Sequence, residues 1–261
     1  MTSIIYQMPT GWAFVLFVVL VTILSLLGLY LVKLFNIPNI SCNDNNTVVN
    51  IFLGVVAVFL SVLLSFLIVT VWDRYSQAQL NSDQEAQSLF LLYSTISILN
   101  LPGTVTIQRQ IVEYLDYIIN VEYPDLKKGI VPTEGTLLFI QLQQSIYNLD
   151  PQTNQQVVLY NESLDWLNQA IQLRIDRINS ATRGVYDVIW WVNVIDSILI
   201  IILVWFVTCA GVYHYILSAF AAVYVGSALF LALILTYPFM GYSALSPDPF
   251  ETALFYIMNP I

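Results

Sequence analysis

The sequence predicts an all-α membrane protein: four transmembrane helices in two pairs, with a helical domain inserted between the pairs. Three observations carry this. Of 261 residues, 58% are hydrophobic and only 10% charged, against about 25% charged in an ordinary soluble domain, so the chain cannot cover itself with polar surface. Four apolar runs, 11–32, 48–72, 188–210 and 212–235, are long enough to cross a hydrocarbon core, which takes about 20 helical residues. Between the second and third lies a stretch of different character. It holds seven of the eight basic residues and thirteen of the seventeen acids.

The first run is too long for the core of a signal peptide, and no Lys or Arg precedes it, so it reads as a retained anchor. No Pro or Gly interrupts residues 55–101. The second span is therefore expected to run unbroken to about Leu99, a rod of roughly 70 Å at 1.5 Å per residue. In the inserted domain, 73–187, apolar residues recur at helical spacing: Ile107, Ile111, Leu115 and Ile118; Leu138, Leu142, Ile146 and Leu149; Leu164, Leu167, Ile171, Ile175 and Ile178. Loops are expected at Leu101-Pro102-Gly103, Tyr123-Pro124-Asp125, Val131-Pro132 and Asp150-Pro151. The resulting organisation is a first transmembrane pair (1–72), a helical domain (73–187), a second pair (188–236) and a tail (237–261).

Orientation follows from charge. Four spans place the N-terminus, the middle domain and the tail on one side. The cations flanking the membrane, Arg74, Arg174, Arg177 and Arg183, belong to the middle domain, and Lys33 alone stands at an outer end. The positive-inside rule makes the middle domain and both termini cytoplasmic, in an inner or plasma membrane. Cys42 and Cys209 then both fall at the outer face, where an oxidising compartment permits a bridge between them.

The inventory also excludes function classes. An excess of acids over bases, 17 to 8, argues against nucleic acid as a partner, because binding phosphates needs clustered cations. There is one His, and no His-Glu-x-x-His, Cys-x-x-Cys, Gly-x-Ser-x-Gly or phosphate-binding Gly-rich loop. This argues against an enzyme, and no cofactor or metal is expected.

The tail, "TYPFMGYSALSPDPFETALFYIMNPI", is the most specific stretch. Pro238 lacks an amide and restricts Tyr237, which stops the fourth span. "SPDPFETALFYI" reads as a helix start, with Asp248 and Glu251 in a capping box and Pro249 at the first helical position. Phe250, Ala253, Leu254 and Ile257 share one face, to lie on the membrane surface or against the helical domain.

Taken together, "WDRYSQAQLNSDQEAQSLFLLY", "RIDRINSATRGVYDVIWW" and "LTYPFMGYSALSPDPFETAL" resemble a family of bacterial membrane proteins with a bestrophin-like domain. The resemblance covers nearly the whole chain and centres on Pro238, Phe239, Gly241, Pro247 and Phe250. One departure is that Thr236 stands where the family pattern has an acid. Bestrophins are pentameric ion channels, mostly anion-conducting, whose pore is lined by the second span and its cytoplasmic extension. The resemblance therefore implies a homo-oligomer, a pentamer by analogy, with inorganic ions and the lipid bilayer as partners. Selectivity stays open, because the middle domain carries 7 bases and 13 acids, a net of −6, and an acidic vestibule concentrates cations. A non-conducting scaffold or sensor, its helical domain binding a partner, is the alternative.

Within that implication, Phe52, Phe59 and Phe66 recur every seven residues on the second span, with Leu63 between the last two. One reading is a hydrophobic constriction built from one set per subunit; the other is contact with lipid or neighbouring helices. Asp196, with Asn193 close by, lies inside the third span. A charge there costs about 2.5–3.5 kcal/mol on insertion scales, so it is expected to face protein or a water-filled cavity. His214 is expected at the interface. Glu85 with Asp83, and Asp73 with Arg74, read either as an acid cluster just below the membrane or as a solvated face or helix–helix salt bridges.

Overall fold

The computed structural model describes residue 6 and residues 8–35, 46–206 and 211–259. Their elements are α1 (Thr10–Leu34), α2 (Asn46–Leu99), α3 (Thr104–Tyr117), a single π-helical turn (Ile118–Glu122), α4 (Tyr123–Lys127), α5 (Glu134–Tyr147), α6 (Asn154–Thr182), α7 (Asp187–Trp205), α8 (Val212–Leu235) and α9 (Asp248–Met258). No strand occurs among the described residues. Four helical stretches are long and apolar enough to cross a membrane: Thr10–Leu34, Gly54–Leu99, Asn154–Trp205 and Val212–Leu235. The second span does continue without a break to Leu99. The chain forms two compact units, Met1–Asp73 with Gly184–Thr236, and Arg74–Arg183 with Tyr237–Ile261.

In the first unit α1 lies along α8. Helices in lipid gain little from burying apolar surface and depend on close packing and hydrogen bonds. Gly226 of α8 accordingly leaves its nearest space to Val18 and Val21 of α1. Phe14 and Phe17 both pack on Phe230, with centroids 5.4 and 5.8 Å apart. Ser25 and Ser218 share a hydrogen bond of 3.0 Å. Leu60 and Leu64 of α2 meet Ile200 of α7 and Val225 and Leu229 of α8.

The second unit has one continuous apolar core, from Ala78, Leu89, Leu92 and Ile96 of α2 through Ile107, Ile111 and Leu115 of α3 to Leu142, Ile146 and Leu167. The tail helix belongs to it. Phe250, Ala253 and Ile257 are buried in that core, so the apolar face of α9 covers helical protein rather than lying free.

Three expectations are corrected. The Asp248–Glu251 capping box does not form. Pro247 is the N-cap and no side chain caps the helix; the amides of Phe250 and Glu251 donate to the Pro247 carbonyl at 2.9 and 3.1 Å. A capping box occurs instead at Thr153 and Gln156, opening α6. The loop expected at Tyr123-Pro124 is helical. Pro124 has no amide to offer, and the helix passes it by widening to a π turn in which the Tyr123 amide donates to the Ile118 carbonyl, five residues back. Finally, Ile175 is half exposed whereas Leu173, Arg174 and Arg177 are buried. The inner face of α6 near its end carries two guanidinium groups rather than an isoleucine stripe.

Candidate functional site

One face of α2 is left uncovered by the chain's own helices. Steps of seven residues return to within about 20° on an α-helix, which places Phe52, Phe59 and Phe66 on a single line. Their exposures are 57%, 67% and 67%. Leu60, Leu64, Leu67 and Val71, about 110° round the helix, are buried. Leu63 falls between the two faces and is half-buried. Ser61, Ser65 and Thr70 turn their hydroxyls back onto carbonyls of their own helix at 2.8, 2.7 and 2.7 Å, so they leave no unpaired donor along this segment.

The polar groups of the second pair take separate places. Asn193 is buried, donates to the Ile189 carbonyl at 2.9 Å, and keeps its Oδ1 without a partner. Asp196 is half-buried, and no cation among the described residues forms an ion pair with it. His214, expected at the interface, is packed against protein at the start of α8. It is 3% exposed, and its Nε2 lies 2.9 Å from the Val204 carbonyl, joining the start of α8 to the end of α7. The polar ring is needed there because a helix C-terminus leaves carbonyls unsatisfied. Cys42 and Cys209 lie outside the described residues.

The tail residues assemble at the centre of the second unit. The Pro238 carbonyl accepts from the Leu245 amide at 2.8 Å, and the Gly241 amide donates to the Lys127 carbonyl at 3.0 Å. Gly241 sits at φ 75°, a conformation that disfavours any side chain. This turn carries Phe239 and Phe250 to the Tyr123 ring, at 5.7 and 5.6 Å between centroids.

Next to them lies a buried charge cluster that joins α2, α3, the π turn and α6. Arg177 donates to Glu85 through Nε at 2.6 Å and Nη2 at 3.1 Å, and its Nη2 is 2.7 Å from Glu122 Oε1. Arg174 grips Glu122 at 3.1 and 2.9 Å and donates to the Tyr114 hydroxyl at 2.5 Å. Arg177 also lies 5.4 Å from the Phe250 ring, within cation–π range. Burial alone would raise the Glu122 carboxyl, but Arg177 and Arg174 outweigh it and hold the group below its ordinary value. Burial pushes the Tyr123 hydroxyl up to about 12, with Arg177 opposing.

Two charges balance two here, which is how ions survive burial. Glu85 was legible as a salt-bridge candidate; Glu122 and Tyr114 were not. The bulge that turns Glu122 inward has one sequence signal, the helix-incompatible Pro124 two residues on. Arg174 and Arg177, expected as membrane-flanking cations, are both buried in ion pairs.

These elements define an all-helical integral membrane protein with four candidate spans. Within that class the chain belongs to the bestrophin-like domain family, which it matches over residues 16–250. Its fold is similar to that of a bacterial bestrophin homolog from Klebsiella pneumoniae solved by Zn-SAD phasing, with TM-score 0.69 and 13% identity, covering 96% of this chain and 98% of that one. Two single-substitution variants of a bacterial bestrophin homolog from the same organism give TM-scores of 0.69 at 14% and 15% identity. They cover 94% of this chain and 98% and 97% of theirs. At such identities the likeness is one of fold. No match to the chain was found among curated proteins.

Proposed function

We propose that the chain forms a homo-oligomeric ion channel, with α2 of each copy turned toward a central axis and Phe52, Phe59, Leu63 and Phe66 narrowing the pore. The observation that carries this reading is the uncovered phenylalanine line of α2, about 110° round the helix from a face that the protomer fills with Leu60, Leu64, Leu67 and Val71. Family and fold are consistent with a channel. A seven-residue repeat suits helices gathered side by side around an axis, because it returns each seventh residue to the same inward face. An apolar ring gates by resisting wetting. With no Lys or Arg between 48 and 71, that ring carries no charge of its own to choose an ion. In this reading the helical domain and both termini are cytoplasmic, with Arg74 and Arg183 as the cytoplasmic cations nearest the membrane.

Ion flux through the purified protein in liposomes, with retention of a large dye as leak control, tests the proposal. Flux of chloride or of potassium without dye loss supports it and assigns selectivity. Intact, oligomeric protein that passes no common ion overturns it in favour of a scaffold whose helical domain binds a partner.

A further inference from the structure

Three peptide junctions join the helical unit to the spans: Asp73–Arg74 within α2, Arg183–Gly184 and Thr236–Tyr237. The chain itself thereby ties the residues just beyond them to the bilayer. Arg74 Nη2 donates to the Arg183 carbonyl at 3.4 Å, which brings two of the junctions together. The Tyr75 hydroxyl donates to the Ser243 carbonyl at 3.3 Å, which holds the turn that follows the third junction beside them. That turn in its own right braces the end of α4. The Gly241 amide donates to the Lys127 carbonyl at 3.0 Å, and the Met240 methyl lies 2.9 Å from where a Cβ on Gly129 would stand.

The loop after α4 is fixed by its backbone and turns its side chains outward. The amides of Gly129 and Ile130 donate to the Leu126 and Asp125 carbonyls at 2.8 and 2.9 Å. Gly129 stands at φ 80°, the left-handed close of a helix. Ile130 is 55% exposed and Val131 40%. Tyr242, on the tail turn, is 59% exposed, and the Lys127 amine lies 5.6 Å from its ring. A lysine beside exposed aliphatic and aromatic groups suits a headgroup layer, where stem and ring meet hydrocarbon and the amine meets phosphate.

Charge is distributed to match. Segments 73–75, 125–131, 183–187 and 237–245 carry four bases, Arg74, Lys127, Lys128 and Arg183, against three acids, Asp73, Asp125 and Asp187. The buried cluster is balanced, and the rest of the helical unit sets Arg109 alone against ten acids. Asp125 holds the Lys128 amine at 2.8 Å, whereas Lys127 makes no ion pair among the described residues.

We propose that this end of the helical unit docks on the bilayer surface, with Ile130, Val131 and Tyr242 entering the headgroup layer and Lys127 bonding the phosphate of an anionic lipid. One base in excess is too little to hold a soluble anion, but a tethered loop meets its leaflet at high effective concentration. The inference depends neither on conduction nor on which side of the membrane the unit occupies.

The test uses the full chain, with Cys42 and Cys209 replaced by serine, in phosphatidylcholine vesicles with and without phosphatidylglycerol. A fluorophore on Ile130→Cys is compared with one on Asn161→Cys, exposed on α6 and about 33 Å along that helix from the Arg183 junction. Nitroxides on lipid headgroups should quench the Ile130 label and spare the Asn161 label, and phosphatidylglycerol should deepen the quenching. A lysine near an anionic leaflet is worth about fivefold in the contact equilibrium. Lys127→Gln should lower contact by that factor in the anionic vesicles and leave it unchanged in phosphatidylcholine. Lys128→Gln should do less, since Asp125 already holds that amine. Both lysines are exposed, so neither change disturbs the fold. An Ile130 label quenched no more than the Asn161 label overturns the docking and leaves the patch to a soluble anion or a second copy. Quenching that ignores phosphatidylglycerol, or Lys127→Gln, overturns the role of the anionic headgroup and with it the proposal.

Discussion

Arg177 Nε lies 2.6 Å from Glu85 Oε2 with both side chains fully buried, a bond that ties α6 to α2 in the centre of the helical unit. The two residues are 92 positions apart in the chain. Glu122 and Arg174 complete the balance, and Phe250 from the tail stacks over Arg177. Phe239 and Phe250 therefore act in the architecture of this unit, beside its only buried ions among the described residues.

Removing one member should cost more than removing a pair. Glu85→Gln leaves Arg177, fully buried, with half its counter-charge, and loss of a buried partner costs about 3–5 kcal/mol. Thermal melting in detergent should show a large fall in Tm. The double replacement Glu85→Leu with Arg177→Met should recover most of it, since well-packed apolar pairs often match buried ion pairs. A double variant less stable than Glu85→Gln would show that the cluster does more than satisfy itself.

Gly135 guards the same cluster from α5. A Cβ there would stand 2.5 Å from Glu122 Oε2, 2.8 Å from Arg174 Nη2 and 2.8 Å from Tyr117 Cε1. Its φ is unremarkable, so the obstacle is space alone. Gly135→Ala should destabilise by about 1–3 kcal/mol, as overpacking does, even though alanine is the better helix former by about 1 kcal/mol. An unchanged or raised Tm would mean that Glu122 and Arg174 move aside freely.

Stability should fall at both ends of the pH scale. Glu122 is held below its ordinary 4.5 when folded, so the folded state binds that proton less tightly than the unfolded chain. Its contribution is present above 4.5 and lost as pH falls through the folded value. Tyr123 is raised from 10 to about 12, so its contribution is complete below 10 and lost between 10 and 12. Melting temperature measured against pH should be flat between these limits, and Glu122→Gln should flatten the acid limb. A Tm that climbs as pH drops below 4.5 contradicts the sign.

How much of this could be read from the residues follows physical lines. The spans were legible because crossing hydrocarbon imposes length and composition on each helix separately. The unbroken α2 followed from the absence of Pro and Gly, and the buried face of α9 from the spacing of Phe250, Ala253 and Ile257. What escaped was decided by partners distant in sequence. Arg174 and Arg177 read as membrane-flanking cations because nothing local announces Glu85 and Glu122 opposite them. The burial of His214 escaped because its partner is a backbone carbonyl, which has no letter in the sequence. The capping box at Asp248 failed by one register step, since Pro247 took the N-cap and its carbonyl met the first free amides.

Sidedness is measurable with single cysteines in a chain whose Cys42 and Cys209 are replaced by serine. Asn161 is exposed on α6 and Val212 is 71% exposed at the start of α8. An impermeant maleimide on intact cells should reach Val212→Cys and miss Asn161→Cys until the membrane is opened. The reverse pattern would place the helical domain outside. Because two of the four orienting arginines are buried in ion pairs, Arg74→Glu with Arg183→Glu is the charge change expected to weaken this orientation.

The phenylalanine line makes the most direct prediction about conduction. Phe59 and Phe66 are both two-thirds exposed on the protomer, so trimming them to alanine opens no cavity inside a single chain. If they ring a pore, the double variant Phe59→Ala, Phe66→Ala should wet the constriction and raise basal ion flux, while size-exclusion chromatography shows an unchanged oligomer. If they pack against neighbouring copies, truncation removes about 3–5 kcal/mol of contact for each side chain, and the oligomer dissociates or melts early with no gain in flux. Should they face lipid, neither flux nor assembly changes. Substituting Leu60 and Leu64, buried against Ile200, Val225 and Leu229, is the matched control, because it should destabilise the four-span unit without opening any pore.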